Sequence, residues 1–98
     1  MDYYLQNKLL KLLQDNEDYN KCNEYIYKIQ SGDNSVINEA NLFALKKFDD
    51  FYEKDKDIVV ETGIEKTINT RINNFSVING LESIKTMIVK KLDKELLK

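Results

Sequence analysis

The sequence contains no proline, no histidine and no tryptophan, and it has only one cysteine and three glycines. Because proline interrupts helices, its absence allows long uninterrupted ones. The lack of histidine removes the most common general base near neutral pH, and with a single cysteine it makes a zinc site close to excluded. Cys22 has no partner for an internal disulfide, as is typical of a reducing cytoplasm, and we expect it to be a small buried apolar residue.

Long apolar runs and enzyme motifs are also missing. No run approaches the roughly 20 apolar residues that span a bilayer, and no basic region precedes an apolar core at the N-terminus. There is no glycine-rich phosphate loop and no nucleophile motif. The acidic run at 49–57 lacks the glycine and terminal glutamate of a calcium loop. The sequence therefore predicts a cytoplasmic protein that is not an enzyme, with no cofactor, no metal and no insertion into a membrane.

Over its 98 residues the chain is 42% apolar and 33% charged, a composition that predicts a single globular domain covering residues 1–98. The charge is unevenly distributed. Residues 1–63 hold 8 lysines and 13 acids, a net charge of −5, whereas residues 64–98 hold 6 lysines and Arg71 against 4 acids, a net charge of +3. A difference of this size steers partners only weakly, and solvated helix faces explain it equally well.

Apolar spacing predicts two helices in the first third of the chain. The first covers residues 2–15. The second begins near Tyr19 and ends at Gly32, which is a plausible C-cap. The segment 25–29 also fits a short alternating strand, so the sequence leaves that alternative open.

A third helix is predicted over 35–53, with Asn34 or Ser35 as its N-cap. It is the most apolar segment of the chain, and we expect it to be the central core helix. A charged, exposed connection follows at 53–57. A closing helix, rich in lysine, is predicted from Ile84 onward.

The segment 57–75 has the most unusual pattern in the chain. Its residues 58–60 are β-branched, which favours a short strand before a turn at Gly63. A helix over 65–74 should follow. Its apolar stripe, expected to pack inward, is Ile64, Ile68, Ile72 and Phe75. Its opposite face carries donor-rich side chains that suit base edges and phosphates: Lys66, Thr67, Asn69, Thr70, Arg71, Asn73 and Asn74.

The Asn79-Gly80 pair lies between apolar residues, which is a strong short-range signal for a β-hairpin over 77–84. The same pair could instead end one helix before another starts at Leu81. The sequence does not decide between the two.

The segment 62–72 resembles the turn and recognition helix of bacterial helix-turn-helix regulators, and with a hairpin over 77–84 the order of elements resembles a winged helix. The resemblance implies a mainly α domain that places the helix 65–74 in the major groove of double-stranded DNA. Lys66, Lys85 and Lys90 would contact phosphates, and Asn69, Thr70 and Arg71 would read bases. Thr67 and Asn73 belong to the same DNA-binding set.

One short recognition helix reads few base pairs, so such a protein is expected to act as a homodimer. It would be a regulator or a plasmid or phage accessory factor.

The segment 61–67 is similar to a short string in the immunity proteins that protect bacteria against pediocin-like bacteriocins. That resemblance implies an all-α bundle of four or five helices. Its function would be to bind another protein, as a bacteriocin immunity or phage anti-defence factor, without binding DNA.

Overall fold

The computed structural model of the chain describes residues 3–65 and 72–97. In chain order its elements are α1 (Tyr3–Asp15), α2 (Glu17–Gln30), a 3₁₀ turn (Asn34–Val36), α3 (Ile37–Lys54), α4 (Lys56–Thr62) and α5 (Asn74–Leu96). These two ranges contain no strand, so the all-helical class is confirmed. None of the helices in the described part of the chain is both long and apolar enough to cross a membrane.

Local capping chemistry sets the ends of the first two helices. Asn16 alone separates α1 from α2, and its side-chain oxygen accepts a hydrogen bond from the Tyr19 amide at 2.8 Å. At the other end of α2, the Gly32 amide donates to the Ile29 carbonyl and the Asp33 amide to the Lys28 carbonyl. Gly32 has φ +94°, so the predicted glycine cap is confirmed. The strand alternative over 25–29 is wrong, because these residues lie inside α2.

The entry to α3 differs from the prediction. Neither Asn34 nor Ser35 caps a helix by accepting a first-turn amide. Instead, the Asp33 carboxylate accepts from the Ser35 amide at 3.0 Å and opens the 3₁₀ turn, which leads directly into α3. The N-cap of α3 is Val36, and its side chain makes no capping hydrogen bond.

The predicted strand at 58–60 is wrong, because these residues form the middle of α4. Ile58 and Val59 are both buried, whereas Val60 is 70% exposed. In a strand, positions 58 and 60 would share one face, whereas a helix turns 58 and 59 toward the core together. The burial of two consecutive side chains therefore outweighs the β propensity of this segment. The predicted charged connection before it shrinks to Asp55, the only residue between α3 and α4.

The centre of the fold is α5, and not the helix at 35–53 as predicted. It contacts each of the other four α-helices. Its buried side chains recur at helical spacing on one stripe: Val77, Leu81, Ile84, Met87 and Ile88. The α3 helix supplies Ala40, Ala44, Phe48 and Phe51 to the same core. A long helix surrounded by shorter ones buries one continuous apolar cluster.

The predicted hairpin over 77–84 is wrong, and so is the predicted helix break at Asn79-Gly80, because α5 runs through both residues without interruption. Gly80 does not have a positive φ. It lies beside α3, where a Cβ added to it would be 3.6 Å from the Cβ of Ala44. The glycine thus lies where α3 and α5 contact each other. The preference of Asn79-Gly80 for a tight turn has no role in this fold.

Candidate binding surfaces

Eight residues are predicted from the sequence to contact DNA. Five of them, Lys66, Thr67, Asn69, Thr70 and Arg71, lie outside the described residues. The other three are Asn73, Lys85 and Lys90. The described ends of the predicted helix 65–74 do not fit it, because Glu65, Ile72 and Asn73 are not helical and Asn74 is already the first residue of α5.

Asn73 is the N-cap of α5. Its backbone is extended, and its side-chain oxygen accepts a hydrogen bond from the Ser76 amide at 2.9 Å. The Asn73 amide in turn donates to the Ser76 hydroxyl at 3.2 Å. This reciprocal pair is a capping box, which satisfies two amides that have no partner within the helix. The side chain that sequence analysis assigned to DNA therefore holds the start of the central helix.

Lys85 lies on α5 against α2. Its Nζ atom is 5.2 Å from the centre of the Tyr19 ring and 3.9 Å from a carboxylate oxygen of Glu82. An ammonium above an aromatic face is attracted by the ring quadrupole. The charge of Lys85 is thus directed toward groups of its own chain.

Lys90 belongs to a network of ion pairs between α4 and α5. It lies 3.7 Å from Glu61, whose carboxylate also accepts a hydrogen bond from Lys94 at 2.8 Å. Lys94 donates a further bond to Asp57 at 2.8 Å, and Lys91 donates one to Asp55 at 3.1 Å. Three lysines of α5, at positions 90, 91 and 94, therefore face acids in or directly before α4.

This network shifts the protonation of its members. The hydrogen bond from Lys94 lowers the pKa of Asp57 below its usual value, and the bonds to Asp57 and Glu61 raise the pKa of Lys94. Both shifts favour the charged forms. Sequence reasoning separated an acidic part from a basic part of the chain, but the fold brings the two together across the α4–α5 contact.

Two residues of the predicted inward-facing stripe are exposed. Ile72 is 47% exposed and Phe75, in the first turn of α5, is 76% exposed. Ile64 is half-buried against the core, and Ile68 lies outside the described residues. The stripe was derived for one continuous helix over 65–74 and the residues directly before and after it. Since Asn73 starts a new helix, the helical spacing that joined these positions does not apply.

A groove lined by both apolar and polar side chains runs along α3 and is a candidate binding surface. One end is a depression of about 720 Å³ between α3 and α4. It is lined by Phe48, Asp49, Tyr52, Val59, Val60, Gly63, Ile64 and Glu65. The other end is a depression of about 390 Å³ between α3 and α5. Its lining includes Asn41, Ala44, Leu45, Phe75, Asn79 and Gly80.

The two depressions share Phe48, Ile64 and Glu65, and we call them together the α3 groove. Buried Phe48 and half-buried Ile64 form its floor, and the exposed side chains of Val60 and Phe75 stand at opposite ends. Sequence reasoning missed this surface. No local signal pointed to it, because the sequence pattern assigned Phe75 to an inward-facing stripe and residue 60 to a strand.

Cys22 has no exposed surface, which confirms the expectation that it is buried. Burial raises the pKa of its thiol to about 12, with a further contribution from the Asp18 carboxylate. The thiol therefore stays protonated at neutral pH. Across the described part of the chain, no three His, Cys, Asp or Glu side chains are grouped so that they could hold a metal ion.

Comparison with known proteins found no matching protein family, no matching curated protein and no matching solved structure.

Proposed function

We propose that this chain is a helical-bundle factor that acts by binding another protein, and that the partner docks in the α3 groove. The observation that carries this proposal is the groove itself. Buried Phe48 lies at its floor, and Val60 and Phe75 remain 70% and 76% exposed beside it. Large apolar side chains grouped around a concave surface and rimmed by polar residues are typical of protein-binding sites.

The same fold offers little to DNA in its described part. Asn73 caps α5, Lys85 faces Tyr19 and Glu82, and Lys90 faces Glu61. Contacts to phosphates need cations that neutralise the phosphates and so release the counterions condensed on the nucleic acid. DNA binding therefore remains a competing proposal that rests on Lys66, Thr67, Asn69, Thr70 and Arg71. The homodimer, which was expected because one short recognition helix reads few base pairs, depends on that proposal.

Protein binding without DNA binding is the function expected of a small bundle of the bacteriocin immunity or phage anti-defence type. Such a factor needs a stable scaffold and one exposed apolar surface. Here α5 supplies the scaffold, because it contacts the other four helices. The groove is built on α3, α4 and the start of α5, so its lining is held by secondary structure on three sides.

The first experiment measures fluorescence anisotropy of labelled duplex DNA at two salt concentrations. We expect no binding near physiological ionic strength at micromolar protein. Tight binding that weakens steeply with salt, and that the variants Val60→Ser and Phe75→Ser leave unchanged, would contradict the proposal.

The second experiment selects peptides from a displayed random library against the wild-type protein. We expect the selected peptides to lose binding to Val60→Ser and Phe75→Ser. The matched control is Tyr27→Ser, because Tyr27 is 72% exposed but does not line the groove. If the control variant lost peptide binding to the same extent, binding would depend on general surface hydrophobicity. That result would contradict the assigned site.

A further inference from the structure

We infer that a second copy of this chain packs against the outward-facing side of α1 and forms a weak two-fold homodimer that needs no DNA. This contact surface, which we call the outer stripe of α1, consists of Tyr3, Gln6, Asn7, Leu10 and Gln14. All five residues are exposed. The α3 groove contains no residue of α1, so the contact is separate from the proposed function and leaves the groove of each copy open.

The helical spacing of α1 divides its surface into three sides. Leu5, Leu9 and Leu13 recur every four residues and face the core, where Leu13 is buried and the other two are half-buried. The charged side chains of α1 lie together on a second side: Lys8, Lys11 and Asp15. The outer stripe occupies the third side, because at 3.6 residues per turn its members fall within about 100° of one another.

The outer stripe carries no charged residue, although 33% of the chain is charged. Three of its members have the helical spacing i, i+4 and i+7: Tyr3, Asn7 and Leu10. In α2, the exposed residues at the same spacing are all charged: Glu17, Lys21 and Glu24. The two neighbouring helices thus present surfaces of different chemistry at equivalent positions.

An uncharged stripe is complementary to itself. A two-fold contact places each part of a surface against the same surface of the other copy. A charge of one sign in that surface would therefore meet its own sign, and the outer stripe avoids this repulsion. Tyr3 and Leu10, which are 75% and 53% exposed, supply apolar area to bury. A partner that is recognised through its charge would find none on this stripe to pair with.

The spacing of the stripe fits one antiparallel register. The two-fold axis would pass between Gln6 and Asn7, so that these two residues face each other across the contact. Tyr3 of each copy then lies opposite Leu10 of the other. The two apolar contacts are separated by about 10 Å along the helix, which is the rise of seven residues. Between them lie the carboxamides, which have both donors and acceptors for hydrogen bonds across the axis.

The size of the stripe sets the strength of the dimer. The 13 residues of α1 span roughly 20 Å, and one helix is about 10 Å wide. A contact of these dimensions is well below the roughly 800 Å² per partner that a stable complex buries. We therefore expect a reversible dimer with a Kd between about 10 μM and about 1 mM.

Sedimentation equilibrium of the full chain, from about 10 μM to about 1 mM protein, measures this association. We expect Leu10→Ser to weaken it at least about tenfold, because both contacts between Tyr3 and Leu10 lose their aliphatic side chain. The matched control is Tyr27→Ser, which removes a 72% exposed apolar residue of α2 and should leave the association unchanged.

A charge placed at Gln6 tests the two-fold register. We expect Gln6→Glu and Gln6→Lys each to weaken self-association at least about tenfold, because two like charges meet beside the axis. An equimolar mixture of the two variants should restore it, since glutamate then faces lysine. The control pair, Asn23→Glu and Asn23→Lys, introduces the same charges at an exposed residue of α2 outside the stripe. Circular dichroism checks that each variant is folded.

Wild-type protein that stays monomeric at about 1 mM would overturn the inference. Equal effects of the Gln6 and Asn23 variants would do the same, because they would show a general effect of charge. A mixture of the Gln6 variants that does not associate would overturn the two-fold contact. Association that Val60→Ser abolishes and Leu10→Ser does not would place the contact in the α3 groove instead. Leu10→Ser should bind the library peptides as wild type does, so the proposed function is tested independently.

Discussion

Lys94 on α5 donates a hydrogen bond of 2.8 Å to the carboxylate of Asp57 on α4, 37 positions earlier in the chain. The same ammonium reaches Glu61 one helical turn further along α4. A seven-residue helix is too short to be stable by itself. Its position therefore depends on the burial of Ile58 and Val59 and on this contact with α5.

We expect Lys94→Gln to increase the hydrogen exchange of the Ile58 and Val59 amides without unfolding the rest of the chain. Exposed ion pairs contribute little singly, but Lys94 joins two acids at once. The measurement is amide exchange by mass spectrometry at neutral pH. The control is Lys28→Gln, which removes an ion pair with Glu24 inside α2. Equal exchange in α4 for wild type and Lys94→Gln would show that apolar burial alone holds this helix.

The pH dependence of this contact has a definite sign. The pKa of Asp57 is lowered in the fold. Its contribution to the free energy of unfolding is therefore present above the ordinary pKa of 3.8 and is lost as the pH falls through the lowered value. The pKa of Lys94 is raised, so its contribution is full below 10.5 and is lost as the pH rises through the raised value. The difference in the free energy of unfolding between wild type and Lys94→Gln should therefore be constant near neutral pH. It should become smaller at both acidic and alkaline extremes. A difference that changes between pH 5 and 9 would contradict this assignment.

Asn73 gives a third prediction. We expect Asn73→Ala to lower the free energy of unfolding by about 0.5–2 kcal/mol, because the capping box at the start of α5 is lost. Chemical denaturation measures the change. Asn73→Ser should restore most of the loss, since serine also accepts a hydrogen bond from a first-turn amide. If Asn73→Ala were as stable as wild type, the cap would have no energetic role and the side chain would again be a candidate for DNA contact.

The parts of the fold that the sequence predicted correctly depend on local patterns. The helices over 2–15 and 35–53 follow from apolar spacing, and Gly32 follows from the preference of a left-handed cap for glycine. Both patterns can be recognised from a few neighbouring residues of the sequence. In the structure, α1 ends at the predicted residue, and α3 begins two residues later and ends one residue later than predicted.

The parts that the sequence did not predict depend on contacts between distant segments. Val59 has high strand propensity, yet it is helical because a helix lets it be buried in the core together with its neighbour Ile58. Asn79-Gly80 favours a turn by local conformational preference. The burial of the long apolar stripe of α5 stabilises a continuous helix through this pair instead. Lys90 looked like a phosphate ligand because its partner Glu61 is far away in the sequence. No pattern within α5 alone reveals such a partner.

Gly80 gives a fourth prediction. We expect Gly80→Ala to raise the free energy of unfolding by about 0.5–1 kcal/mol, because alanine is the better residue inside a helix. The added methyl group would lie 3.6 Å from the Cβ of Ala44, which is an ordinary contact. The controls are Gly32→Ala and Gly63→Ala, which should destabilise because both residues have positive φ. Destabilisation by Gly80→Ala would show that α3 and α5 approach too closely at this point to accept a methyl group.

The last prediction separates the core from the groove by comparing two large apolar residues of α5. Leu81 has no exposed surface and packs at the centre of the core, whereas Phe75 is 76% exposed at the edge of the groove. We expect Leu81→Ala to lower the free energy of unfolding by about 2–5 kcal/mol, because it loses buried apolar surface and leaves a cavity. Phe75→Ala should change stability by less than about 0.5 kcal/mol.

Both values come from chemical denaturation. If Phe75→Ala cost as much as Leu81→Ala, the aromatic ring would belong to the core and would not be available to a partner. If Phe75→Ala left stability unchanged and also abolished binding of the selected peptides, the ring would be held exposed for binding.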